Sequence, residues 1–113
     1  MKKLLLLVLF AGSLYAQHSN TLTWSWTQGT GDPATGFIIQ KSTVSTGPFT
    51  TIITTTTPTI FTYIDSTVTA GQTWYYQILA YNTGGSSQPS NVIEAVTPFL
   101  PPTAPNSFQI ISK

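Results

Sequence analysis

Apolar and polar residues alternate with a period of two along most of this chain, and the clearest alternation lies between Gly71 and Asn82. There Trp74, Tyr76, Ile78 and Ala80 fall on one face of an extended strand, and Tyr75, Gln77, Leu79 and Tyr81 on the other. The first set reads as a core face. The second is amphipathic, as expected of a central strand whose outer face is partly wet. Leu22-Thr23-Trp24-Ser25-Trp26-Thr27 alternates in the same way, with Leu22, Trp24 and Trp26 inward. Further strands are expected at Phe37–Lys41, Phe49–Thr54 and Asn91–Thr97, and one at Pro58–Ile64 with Ile60 and Ile64 inward. Between them lie turn signals: Gln28–Gly36 with Asp32-Pro33, the Asp65–Ala70 turn region, and the Gly/Ser-rich loop from Asn82 to Pro89. No segment beyond the N-terminal apolar run has helical periodicity. Six short strands at this spacing predict an all-β antiparallel sandwich.

Composition narrows the picture. Only 6% of the 113 residues are charged, so neutral polar groups must cover the surface, and 21 threonines and 11 serines supply them. No basic patch exists to follow a phosphate backbone, which excludes nucleic acid as a partner. Cysteine is absent, which removes disulfides and thiolate metal sites.

The N-terminus reads as an export signal over residues 1–16. Met1-Lys2-Lys3 is a short positive region, Leu4–Phe10 an apolar run, and Ala16 a small residue suited to cleavage before Gln17. The run is too short to span a bilayer as a helix. The expected location is secreted, extracellular or periplasmic, with no membrane anchor after cleavage. Without the leader, Lys41 and Lys113 face Asp32, Asp65 and Glu94, one negative charge in excess.

Residues 17–97 resemble the fibronectin type III family, an immunoglobulin-like β-sandwich. The matching stretches are Leu22-Thr23-Trp24-Ser25-Trp26, Gly36-Phe37-Ile38-Ile39, Tyr63-Ile64-Asp65, Gly71 through Ile78, Ala80-Tyr81-Asn82, Gly85-Ser86 and Ser90-Asn91-Val92. Trp74 stands where the family has a corner tyrosine that hydrogen-bonds back across the preceding loop. Ala70 stands where it has proline. The resemblance gives Asp65 a part in turn structure.

The resemblance also implies a first strand behind a proline-rich entry, yet only Gln17-His18-Ser19-Asn20 separates the cleavage position from the second-strand pattern. Residues 98–113 look like that missing opening: a Pro-rich linker, then Asn106-Ser107-Phe108-Gln109-Ile110-Ile111, with Phe108 and Ile110 on one strand face. Three readings stand open. The tail folds back as a permuted first strand, or it completes the sheet of the next copy, or it is a remnant or the start of a further domain. In the family the last strand ends at the pole opposite to the start of the first. Folding back therefore crosses the whole domain on a linker that spans about 25 Å as polyproline. Head-to-tail donation needs no such crossing and makes fibres.

No catalytic constellation can be assembled. His18, the one histidine, sits near the N-terminus, and Asp32, Asp65 and Glu94 are scattered. Neither cofactor nor metal ligands are clustered. Tyr75 and Tyr81 are candidates for an aromatic, sugar-stacking surface, against which stands their use in ordinary cross-strand pairs. The expected function is therefore that of an exported, non-catalytic structural or interaction module. Its sharper form is a self-assembling extracellular or virion-associated subunit in which Phe108 and Ile110 belong to a donor strand, its partners being copies of itself. The alternative is a monomeric surface-binding module for adhesion to a glycan or protein.

Overall fold

The computed structural model describes residues 3–12 and 18–112, and among them there is no helix. Eight strands run in chain order: β1 Lys3–Gly12, β2 His18–Thr27, β3 Gly36–Ser42, β4 Thr50–Thr54, β5 Thr62–Asp65, β6 Thr73–Asn82, β7 Gly85–Ser86 and β8 Ile93–Val96. They form two antiparallel sheets. One has the order β1-β2-β5, and the other β4-β3-β6, with β7 and β8 both paired to the free side of β6.

The alternation in β6 places its residues as the sequence predicts. Tyr76, Ile78 and Ala80 are fully buried, and Trp74 packs against the same cluster. Tyr75, Gln77, Leu79 and Tyr81 are half-buried on the outer face. Across from β6, β3 supplies Phe37 and Ile39, and the facing sheet supplies Leu22, Trp24 and Leu6. Phe37 is the meeting point of the two layers. Trp24 lies edge-on to it at 5.4 Å between ring centroids and Trp26 at 6.0 Å, an aromatic geometry favoured by the ring quadrupoles.

One strand is phased differently from expectation. Ile60 and Ile64 were expected inward but are 50% and 58% exposed. The register explains it: Leu22 pairs with Tyr63 and Asn20 with Asp65. Directly opposed residues share a face, so the buried row of β2 carries Tyr63 and Asp65 inward and turns Ile64 out. Asp65, expected in a turn, instead ends β5 and is 1% exposed.

The first-strand position, expected to be empty, is filled by β1. This is the segment read from sequence as the apolar core of an export signal. It pairs with β2 over ten residues, from Lys3↔Thr27 to Gly12↔His18. The cleavage position between Ala16 and Gln17 lies outside the described residues.

Candidate functional site

Three features of the sandwich bear on function, and the first is the seat of β1. Leu6 is 1% exposed and sits opposite Trp24, with Leu4 opposite Trp26. Leu5 points away and is 54% exposed. On its other side the backbone of Leu6 meets a side chain rather than a strand. Its N–H donates to Asn91 Oδ1 at 3.2 Å, and its carbonyl accepts from Asn91 Nδ2 at 3.5 Å. A carboxamide used this way holds a backbone without reading its side chains.

The second is a polar cluster at the pole where β1 ends. Asp65 Oδ2 accepts from Tyr76 Oη at 2.7 Å and from Lys41 Nζ at 3.0 Å, while Oδ1 accepts from the Thr67 hydroxyl at 2.6 Å and its N–H at 3.1 Å. Asn20 Nδ2 donates to Tyr76 Oη at 3.0 Å. Burial pushes the Asp65 carboxyl up, but the hydrogen bonds from Thr67, Tyr76 and Lys41 outweigh it and hold the group below its ordinary range. Burial first, then the bond to Asp65, raises the Tyr76 phenol well above its usual value. Lys41 Nζ also lies 4.1 Å from the Trp74 ring centroid. Beside it is a shallow cleft of about 340 Å³ lined by Lys41, Ser42, Pro48, Thr50, Ile52 and Trp74. With one cation already matched to one carboxylate, this cluster is a structural network. Sequence reasoning missed it, although a signal was present: Lys41 is in strand phase with the core residues Phe37 and Ile39.

Trp74 resolves the question of the corner. Its indole N–H donates to Gln72 Oε1 at 3.0 Å, and the same oxygen accepts the Thr69 N–H at 2.7 Å. The tie across the turn is thus relayed through Gln72. Thr97 closes the corner from the other side through two backbone bonds of 2.8 Å to Gly71 and Gln72.

The third feature is the tail. After Thr97 the described chain forms no strand, and Phe108, Ile110 and Ile111 are 96%, 86% and 87% exposed. The fold-back of the tail as a permuted first strand is not the arrangement in this structure, because β1 holds that position.

The remaining sequence candidates are dispersed. Tyr75 and Tyr81 share the outer face of β6 but lie six residues apart, roughly 20 Å along a strand. Each is engaged separately: Tyr75 Oη with Glu94 Oε2 at 3.1 Å, and Tyr81 Oη with the Thr55 carbonyl at 2.7 Å. Gln77 and Gln40, hydrogen-bonded at 2.7 Å, occupy the face between them. His18 opens β2 and Asp32 lies in an exposed loop, neither beside another candidate. Among the described residues no group of three or more His, Asp or Glu side chains is placed to hold a metal ion.

Comparison with known proteins agrees with this architecture. No known family profile matches the chain. An amylopullulanase from Thermoanaerobacter thermohydrosulfuricus is 32% identical over 84 residues, which is 74% of this chain and 6% of that protein's length. Among solved structures, an Fn3-like protein from Clostridium thermocellum is 28% identical with a TM-score of 0.58, covering 77% of this chain and 83% of its own. The sixth fibronectin type III domain of human fibronectin type III domain containing protein 3 superposes with a TM-score of 0.66 at 18% identity, over 92% and 89% of the two chains. The fold is shared with both solved domains. The amylopullulanase match has the size of one module within a much longer enzyme.

Proposed function

We propose that this fibronectin type III-like β-sandwich is an exported, non-catalytic interaction module that joins copies of itself head to tail through residues 106–112. The observation that carries this reading is the exposed tail. Phe108 and Ile110 present apolar side chains at strand spacing with nothing from their own domain over them. An uncovered apolar segment of this kind marks an interaction site. Low charge removes most of the electrostatic repulsion that would keep copies apart. Sedimentation and electron microscopy of the exported protein, with and without residues 98–113, test it. Multimers that vanish on truncation are expected. A soluble monomer unaffected by the truncation would overturn the reading.

A second reading is favoured by the likeness to a small part of an amylopullulanase. In it the domain is an accessory module that binds a glycan through its outer aromatic face, with Tyr75 and Tyr81 as stacking residues. It requires that Tyr75→Ala weaken retention on immobilised starch or pullulan without moving the melting temperature. Unchanged retention sinks it.

A further inference from the structure

We infer that the flank of β2 from Leu22 to Thr27 is an exchangeable acceptor site, held by residues 3–12 in the precursor and by residues 106–112 of a second copy after the leader is cut. This rests on the tail acting as a donor strand. It adds the acceptor, the polarity of insertion and the event that opens the site.

The occupant seen in the structure is poorly suited to stay. A strand at a sheet edge with one face on the core alternates apolar and polar residues, and natural edges carry charge or proline to discourage further pairing. Residues 4–10 are apolar at every position, and Leu5 stands 54% exposed on the outer side. In the tail, Ser107 and Gln109 flank Phe108 in alternation and Ile110 follows in phase. With Phe108 in the seat of Leu4 and Ile110 in that of Leu6, Gln109 replaces the exposed Leu5 with a polar group. The Asn91 carboxamide, which hydrogen-bonds the backbone of Leu6, serves either strand.

Polarity decides between the same copy and another. β1 starts beside Thr27 and ends beside His18, antiparallel to β2, and passes Asn20 two residues before its end. Asn20 pairs with Asp65, so β1 ends at the pole of the Asp65 cluster. β8 ends there too: Val96 pairs with Thr73, Thr97 bonds Gly71 and Gln72, and the Phe99 ring lies over Gly71. The tail therefore leaves the domain where the β1 seat finishes. Entering its own seat in the direction of β1 means first climbing the length of a ten-residue strand, about 33 Å. Residues 98–105 reach about 25 Å as polyproline. A copy stacked below this pole presents the start of its seat directly.

The absence of cysteine from the sequence makes a cross-link test clean. Leu5 pairs with Ser25, so Ser25→Cys and Gln109→Cys in one chain place two thiols opposite each other only if the tail occupies the seat in this register. A site-specific protease sequence at residues 13–16 allows the folded precursor to be cut on demand. After cutting and mild oxidation, a ladder of disulfide-linked multimers is expected on a non-reducing gel, and the uncut precursor should give none. An equal ladder before cutting overturns the placeholder role of β1. A cross-linked monomer overturns exchange between copies. Multimers by sedimentation that do not cross-link here, nor with Thr23→Cys in place of Ser25→Cys, overturn the acceptor while leaving self-assembly intact. A folded, uncross-linked monomer overturns both. Should the cut chain lose its near-ultraviolet circular dichroism, an excess of a synthetic peptide of residues 104–112 must restore it. Failure to do so overturns the proposal.

Discussion

Asp65 is the residue on which the two sheets depend electrostatically. It is buried, it ends β5, and through Tyr76 and Lys41 it ties that sheet to β6 and β3. Removing one partner of a buried, hydrogen-bonded pair leaves the others unsatisfied, at a cost of about 3–5 kcal/mol. Asp65→Ala is therefore expected to lower the urea midpoint sharply, and Tyr76→Phe, which loses one hydroxyl shared with Asn20 and Asp65, to lower the unfolding free energy from the same urea titration by about 1–3 kcal/mol. The pH dependence has a definite sign. The Asp65 pKa is depressed in the folded protein, so its contribution is present above the unfolded carboxylate value and is lost as pH falls below it toward the folded value. The Tyr76 pKa is raised, so its contribution is present below the unfolded phenol value near 10 and is lost as pH rises above it. A melting-temperature profile should fall at both ends, and Asp65→Asn should flatten the acid limb. A profile of Asp65→Asn that keeps the full acid limb would remove Asp65 as its cause. At this scale the sequence was only half legible. Tyr63-Ile64-Asp65 marked the position, but a lone carboxylate says nothing of burial. Lys41 lies 24 residues away and Tyr76 lies 11 away, and only pairing of the strands brings them together.

Strand by strand, the period-two pattern was informative wherever a whole face was apolar. β6 and β2 behaved as their alternation predicts, whereas β5 did not, because Ile60 and Ile64 are isolated isoleucines in a threonine-rich stretch and its register is set by β2. Tyr63 and Asp65 face inward because their partners on β2 do. Gly36, matched to the family pattern from sequence, shows what such a residue is for. A Cβ there would sit 2.0 Å from the Thr55 carbonyl oxygen. That oxygen accepts from Tyr81, and the Thr55 hydroxyl and N–H bond the Phe37 N–H and carbonyl at 2.9 and 2.8 Å. Gly36→Ala must part the end of β4 from the start of β3 and break these bonds together. A loss of about 1–3 kcal/mol is expected, with faster amide exchange at Phe37 and Thr55. A variant as stable as the parent would show that the two strands separate freely at this point.

For the whole molecule the decisive contrast is between a domain whose interior is complete and a tail that adds nothing to it. The sandwich was legible in the chain because several patterns of strand, turn and corner pointed the same way. The occupancy of the first-strand position was not, because an apolar run behind two lysines satisfies both an export signal and a strand. The same contrast separates assembly from stability experimentally. Phe108 and Ile110 are almost wholly exposed, so Phe108→Asp with Ile110→Asp should leave the melting temperature of the monomer unchanged, within the roughly 0.5 kcal/mol typical of surface substitutions. In the proposed assembly of chains cut before Gln17 the same pair would put two carboxylates against Trp24 and Trp26, a desolvation that a neutral strand does not suffer, and multimers should be lost. Ionic strength gives the converse control. The proposed contact contains no charged residue, so raising salt to about 1 M, where screening acts beyond roughly 3 Å, should leave the multimer intact in sedimentation velocity. Dissociation by salt would assign the association to the few surface charges instead, and with it a different interface.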